Sequence, residues 1–256
     1  MTAALDPVVA AALAERLLAM ADDELILAHR NSEWTGHSPI LEEDIAFSNI
    51  ALDEMGHAAI WYGLREQLTD EDPDRLVFFR DAGDYRNVQM VELPKGDWAF
   101  SMLRQYLFDA AERVSLAHLT AGSYRPLAEA AAKIQTEEIY HLRHTGLWLR
   151  RLGLGTEESH GRLQVALDVL WPYARQLFVR LPGDEVLFDN GIFPNMALLQ
   201  REWEDAVRPY LTECELTIPE EALPRRDIPR TEHTESLMAL LAEMQAVART
   251  DPMAKW

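Results

Sequence analysis

The sequence is poor in cysteine and in long apolar runs. Cys214 is its single cysteine, so no internal disulfide can form, and no CxxC pair exists for zinc or redox chemistry. No run of about 18 apolar residues occurs, which argues against a membrane-spanning helix. The first residues carry Asp6 and Glu15 within an apolar stretch and lack the basic region of a secretory signal. We therefore expect a soluble, cytoplasmic protein.

Positive charge is also scarce. The chain has 24 Lys and Arg residues against 43 Asp and Glu residues, which gives a net charge of −19 at pH 7. This balance opposes binding to nucleic acid or to an anionic membrane surface, because both carry negative phosphates. Hydrophobic residues nevertheless make up 48% of the 256 residues, which is typical of a globular protein with a sizeable core.

The main pattern in the sequence is helical periodicity, because apolar residues recur at spacings of three and four along most of the chain. The predicted helices run from about Pro7 to Asn31, Pro39 to Gln67 with Ser38 as N-cap, Trp98 to Ala121, Pro126 to Leu152, Glu157 to Arg180, Asn195 to Leu211, and Glu232 to Arg249. Residues 73–96 are predicted to form a long ordered loop with at most one helical turn, and residues 217–230 an extended segment. The prediction is one all-α bundle over residues 1–211. Residues 212–256 would add an arm and a last helix, packed on the same domain or on a partner.

Four glutamates lie among apolar neighbours on four separate predicted helices. Glu24, Glu54, Glu112 and Glu138 each have apolar residues three or four positions away, so their side chains should point into the bundle. A buried carboxylate without a partner is costly, and four that face one another are costlier still. Such an arrangement needs compensating positive charge.

Two of these glutamates have a histidine three residues later, His57 and His141. The chain order is therefore Glu, Glu-x-x-His, Glu, Glu-x-x-His, which is the ligand set of ferritin-like carboxylate bundles that bind two metal ions. The ions would be iron or manganese. The alternative is a core network of neutralised carboxyl groups. A third Glu-x-x-His, at Glu157 and His160, is interpreted as solvated charge in a first helical turn.

Each predicted ligand helix also carries an acid just before its glutamate, Asp53 on one and Glu137 on the other. Histidines that bind metals usually donate their second ring N–H to a carboxylate or carbonyl group. We expect these two acids to reach across to the opposite histidine. For Glu137 a solvent-facing position is an equal alternative.

Longer segments carry a resemblance to a known family. They include HRNSEWTGHSPILEEDIAFSNIALD, YRNVQMVELPKGDWAFSMLRQYLFDA and EEIYHLRHTGLWLRRLGLGTEESH. Across nearly the whole chain the sequence resembles PaaC subunits of bacterial phenylacetyl-CoA epoxidases. The resemblance implies a ferritin-like antiparallel four-helix bundle with additional packed helices. It also implies a complex that epoxidises the aromatic ring with O₂ and supplied electrons, in which a PaaA subunit is the catalytic di-iron chain and PaaC its structural partner.

The candidate ligands depart from that family pattern. PaaC-like chains often have degenerate metal ligands, whereas all six candidate ligands are present here. Three hypotheses follow. The chain is a partner subunit in a hetero- or homo-oligomer, or it is itself an oxygen-activating di-iron protein, or it is a ferroxidase or iron-storage protein. The site would hold two metal ions, or none if it is vestigial.

Overall fold

The structure, a computed structural model, describes residues 5–219 and 228–254. Within these residues it is all-α, as predicted. The α-helices are α1 (Pro7–Ser32), α2 (Leu41–Thr69), α3 (Pro73–Phe79), α4 (Gln89–Glu92), α5 (Trp98–Leu119), α6 (Arg125–Gly153), α7 (Glu157–Ala174), α8 (Asp184–Asp189), α9 (Met196–Glu213), α10 (Glu235–Met244) and α11 (Ala246–Thr250). Short 3₁₀ turns occupy Ala82–Asp84 and Arg175–Phe178. None of the described helices is both long and apolar enough to cross a membrane.

Local capping explains where several of the long helices begin. The Asp6 carboxylate accepts a hydrogen bond from the backbone N–H of Val8, and Asp97 accepts one from the N–H of Phe100. The predicted cap at Ser38 is wrong. Helix α2 begins at Leu41 without a side-chain cap, and the Ser38 hydroxyl donates instead to the carbonyl of Trp34.

Four long helices form the bundle. Helix α1 packs along α2, α5 packs along α6, and α2 also contacts α6. Helices α2 and α6 are antiparallel, because Asp53 contacts His141 whereas the later His57 contacts the earlier Glu137. Large side chains fill the interior, among them the fully buried Trp61 of α2.

Additional helices cover the outside of the bundle. Helices α7 and α9 pack against α5, and the stacked rings of Trp171 and Trp203 lie 5.2 Å apart between them. The Trp203 indole N–H donates to the carbonyl of Leu107 on α5, which fixes α9 against the bundle. Helix α8 is held on α1 by the buried Arg16–Asp184 ion pair.

Several connecting elements differ from the predicted ones. Residues 73–96 contain α3, a 3₁₀ turn and α4, so the prediction of a loop with at most one helical turn is wrong. Asp72 caps α3 through the N–H of Asp74, with Pro73 at the first helical position. The predicted last helix is broken at Gln245, whose amide donates to the carbonyls of Val77 and Arg80.

The described part of the arm lies on its own chain. Arg230 donates to the carboxylate of Asp23 at 2.7 Å, and His233 Nδ1 lies 3.0 Å from the Glu92 carboxylate. Both contacts are buried. Residues 220–227, within the predicted extended segment, lie outside the described residues, and the domain division at residue 212 stays a prediction.

Candidate metal centre

The bundle brings together all six side chains that the sequence suggested as ligands. Five are almost fully buried, and Glu112 is half-buried with one carboxylate oxygen fully enclosed. They form three overlapping groups whose nitrogen and oxygen atoms lie within 4.8 Å of one another: Glu24, Glu54 and His57; Glu54, Glu138 and His141; His57, Glu112 and Glu138. Because the groups share members, the six side chains form one continuous cluster.

Helix geometry explains the convergence, because residues three positions apart share a face. On α6, His141 Nδ1 lies 2.9 Å from the Glu138 carboxylate and 3.6 Å from that of Glu54 across the bundle. On α2, His57 Nδ1 lies 3.8, 3.7 and 3.6 Å from carboxylate oxygens of Glu24, Glu54 and Glu138. Each imidazole therefore turns Nδ1 toward the cluster.

The second ring nitrogen of each histidine is held from the opposite helix. Glu137 on α6 lies 2.8 Å from His57 Nε2, and Asp53 on α2 lies 3.1 Å from His141 Nε2. Both carboxylates are partly exposed, at 42% and 44% of the side chain. A carboxylate at Nε2 fixes the proton there and leaves Nδ1 free as a donor atom for a metal.

The cluster has many buried atoms without a hydrogen-bond partner. They are both carboxylate oxygens of Glu24, one oxygen each of Glu54, Glu112 and Glu138, and His57 Nδ1. Leaving such an atom unsatisfied costs about 1–3 kcal/mol. All of these atoms belong to the proposed ligands, and a set of carboxylates and imidazoles suits Fe²⁺, Mn²⁺ and related cations. The side chains therefore fit a two-metal site.

The pKa values of the four glutamates reflect the repulsion between their carboxylates. Burial, and then the neighbouring carboxylates, raises the pKa values of Glu24, Glu112 and Glu138. Burial also acts to raise the pKa of Glu54, but the close approach of Glu24 and of both histidines outweighs it and lowers that pKa well below its ordinary value. Without metal, these raised pKa values favour protonation, which reduces the repulsion between the carboxylates.

The histidine pKa values shift upward in the same cluster. Burial alone would lower them, but the hydrogen bond with Glu138 and the nearby Glu54 carboxylate raise the pKa of His141 to about 12. Contacts with the same carboxylates raise the pKa of His57 to about 9. The metal-free site therefore holds cationic imidazolium groups, which supply part of the positive charge that metal ions would bring.

Four further polar residues support the site, and the sequence analysis missed them. The Gln105 amide donates to Glu54 and to Asp109, the latter at 2.6 Å, while Asn31 donates to the Gln105 carbonyl oxygen at 2.6 Å. Thr145 donates to Asp109 at 3.0 Å. All four residues are fully buried. One feature of the sequence could have revealed two of them. Gln105, Asp109 and Glu112 follow one another at spacings of four and three, so they form one polar stripe on the largely buried helix α5.

A small cavity borders Glu112 between α1 and α5. Its volume is about 50 Å³, and Met20, Phe108, Ala111, Phe178 and Met196 contribute to its lining. One water molecule needs roughly 10–15 Å³ of such space, whereas small-molecule pockets typically measure roughly 300–1,000 Å³. The cavity therefore accepts a few waters or a diatomic gas, but not an aromatic thioester. A larger open depression of about 270 Å³ lies around Gly155 and His160, beyond the C-terminal end of α6.

Fold and site together define a ferritin-like carboxylate bundle, in which paired helices bring glutamates and histidines into one interior. The chain belongs to the phenylacetic acid catabolic protein family, whose model matches residues 2–256. It is 37% identical over 240 residues to the C subunit of the 1,2-phenylacetyl-CoA epoxidase of Escherichia coli (strain K12), covering 93% of this chain and 97% of that relative. It is also 26% identical over 208 residues to the A subunit of the same enzyme, covering 78% of this chain and 66% of that second relative. The family resemblance seen in the sequence is thus confirmed.

Proposed function

We propose that this chain is the C-type subunit of a phenylacetyl-CoA epoxidase complex, in which it pairs with an A-type chain that performs the oxidation. The observation that carries the proposal is the end-to-end similarity to the bacterial C subunit at 37% identity. Similarity to the A subunit is lower and shorter. We expect the complex to act in phenylacetate catabolism in the cytoplasm.

We infer further that the six clustered side chains hold two metal ions, iron or manganese. Glu24, Glu54, Glu112 and Glu138 would supply charge-balancing oxygens, with His57 and His141 as the nitrogen ligands. When bound, ferrous ions would supply the capacity to reduce O₂. Asp53 and Glu137 keep the Nε2 protons in place and orient the two rings. The unpaired buried acceptors support this inference.

A partner role is favoured over catalysis by this chain itself. The cavity beside Glu112, at about 50 Å³, has no room for the phenyl ring and thioester of such a substrate. The catalytic alternative is supported by the complete set of six candidate ligands. A ferroxidase or storage role has no support beyond that same ligand set.

Reconstitution with the A-type chain tests the proposal. This chain should co-purify with it, and the Glu54→Ala variant should lose metal while epoxidation by the complex survives. Loss of epoxidation with the complex intact would favour the catalytic alternative, and failure to form any complex would contradict the proposed partner role. Glu157→Ala is the matched control, because that exposed glutamate belongs to a Glu-x-x-His pair outside the cluster.

A further inference from the structure

Glu112 differs from the other five members of the six-residue cluster in its exposure to solvent. The other five are at most 2% exposed, whereas Glu112 is only half-buried. One of its carboxylate oxygens is fully enclosed, and a carboxylate oxygen of Glu112 lies within 4.8 Å of ligand atoms of His57 and Glu138. Glu112 therefore belongs to the cluster and is also within reach of solvent.

Among the described residues, the bundle is closed at both ends of the cluster and on two of its sides. Toward one end the helices carry Trp61, Leu116 and Ile134, and toward the other Gln105 and Thr145, all fully buried. The packing of α1 along α2 and of α5 along α6 closes two sides. Close-packed side chains of this kind leave no path for an ion. Two sides remain, between α2 and α6 and between α1 and α5.

The seam between α2 and α6 is covered by the two histidine rings. Nδ1 of each ring points to the cluster, whereas Nε2 points outward to the partly exposed carboxylate of Glu137 or Asp53. An ion that arrived here would meet the protonated edge of a ring instead of a free ligand atom. The two carboxylates can attract a cation, but the rings stand between it and the cluster.

The side between α1 and α5 contains the cavity of about 50 Å³ that borders Glu112. Met20 and Ser115 also line this cavity and are partly exposed, which places them at its mouth. Met20 precedes Glu24 by four residues and Ser115 follows Glu112 by three, so each shares a helix face with a candidate ligand. The cavity therefore lies between solvent and the carboxylates of Glu24 and Glu112.

Charge in the cavity wall does not oppose a cation. The wall includes the buried guanidinium groups of Arg16 and Arg230, but Arg16 pairs with Asp184 and Arg230 with Asp23. Glu112 is the acid in the wall that is not paired with an arginine. The net charge of −19 on the whole chain also attracts cations to its surface.

The size of the cavity determines where an ion loses its water. One water molecule needs roughly 10–15 Å³ of such space, so a cavity of about 50 Å³ holds roughly three to five. An octahedral ion such as Mn²⁺ carries about six oxygen ligands in water. An entering ion must therefore exchange water for protein oxygens near the mouth, where Glu112 is the available carboxylate.

We propose that divalent metal ions enter the cluster through the cavity between α1 and α5, and that the Glu112 carboxylate is the first of the six ligands to bind them. Met20 and Ser115 form the mouth of this route. The inference rests on the proposed two-metal site and adds the path by which that site is filled.

Stopped-flow uptake of Co²⁺ by the full-length, metal-free chain tests the route, with binding followed by the visible absorption of the bound ion. Ser115→Trp narrows the mouth and should slow uptake about tenfold, while the final metal content matches the wild type. Met20→Trp narrows the mouth from the other helix and should act in the same way. It decides the matter if circular dichroism shows that Ser115→Trp is not folded.

Gly56→Trp is the matched control for the seam between α2 and α6. Gly56 follows Asp53 by three residues, and a Cβ at Gly56 would meet nothing within 4 Å. The same indole is thus added beside the seam without disturbing the packing, and the rate of uptake should not change.

A pair of isosteric variants tests the order in which the ligands bind. Glu112→Gln and Glu24→Gln each remove one carboxylate ligand, so both should lower the affinity for metal. Glu112→Gln should lower it chiefly through the association rate, which should fall about tenfold. Glu24→Gln should act chiefly on the dissociation rate, because Glu24 binds the ion after it has entered.

Unchanged uptake in both Ser115→Trp and Met20→Trp would overturn the proposed route. Slow uptake in Gly56→Trp alone would also overturn it and would assign entry to the seam. Equal association rates in Glu112→Gln and Glu24→Gln would overturn the role of Glu112. A wild-type chain that takes up no Co²⁺, Fe²⁺ or Mn²⁺ would instead contradict the proposed metal site itself, and the route with it.

Discussion

Two groups of buried acids in this molecule are satisfied in different ways. Where the arm meets the bundle, Asp23 accepts from Arg230 and from the N–H of Val88, and Glu92 accepts from Asn87 and from the N–H of Thr234. In the six-residue cluster the acids face one another, and several oxygens have no donor. Carboxylates that hold a fold together are supplied with donors by that fold. Five of the eight carboxylate oxygens in the cluster have no such donor, which is the arrangement expected of a site that a cation completes.

The largest effect should come from breaking the arm contact. Asp23→Ala leaves the guanidinium of Arg230 buried without its carboxylate, and removing one member of a buried ion pair costs about 3–5 kcal/mol. Urea denaturation of metal-free protein measures this loss. The adjacent Glu24→Gln is the matched comparison, because it replaces a carboxyl group whose raised pKa favours the neutral form with a neutral amide of the same shape, and it should leave stability unchanged or improved. Equal losses of stability in the two variants would contradict the proposed difference between the two groups of buried acids.

Metal should stabilise the fold more strongly as pH rises. The pKa values of Glu24, Glu112 and Glu138 are raised in the metal-free protein, so its stability falls as pH rises through those values. A bound metal ion takes the place of the protons on these glutamates and so removes the loss of stability at higher pH. At metal concentrations of 100 times the dissociation constant, the expected gain is about 2.7 kcal/mol.

Thermal melts with and without Fe²⁺ or Mn²⁺, from about pH 5.5 to 8, measure this effect. The difference in melting temperature should widen with pH in the wild type and vanish in Glu54→Ala. A difference that narrows with rising pH would contradict the account.

A smaller effect is expected from the acids that hold the histidines. Asp53→Asn and Glu137→Gln keep the shape of each side chain but weaken the hydrogen bond to His141 and His57. Metal affinity should fall by about 10- to 100-fold, as is usual for such supporting groups. Glu66→Gln, at an exposed position on α2, is the control for lost charge. Competition with a chromophoric chelator measures the affinity, and no change in Asp53→Asn would mean that the contact is incidental.

The part of the structure that local pattern determines was predictable. The ends of α1, α5 and α6 fall within two residues of their predicted positions. The spacing of the glutamates and histidines also predicted that the six side chains would meet inside the bundle. Short helices such as α3 and α8 have too few turns for periodicity to reveal them. The pairing of Asp23 with Arg230 joins residues 207 positions apart, which only the folded chain determines. Gln105 and Asp109 were missed because their role depends on what they face, not on a recognised motif.

Metal content shows most simply whether the six clustered side chains form a metal site. The chain, produced with ample iron and purified without chelators, should hold about two metal ions per chain by elemental analysis, as a two-metal site requires. Glu54→Ala should hold none, whereas Glu157→Ala should match the wild type. A wild-type chain that contains no metal and takes up none when Fe²⁺ or Mn²⁺ is added would contradict the account. The six side chains would then be a hydrogen-bonded core network.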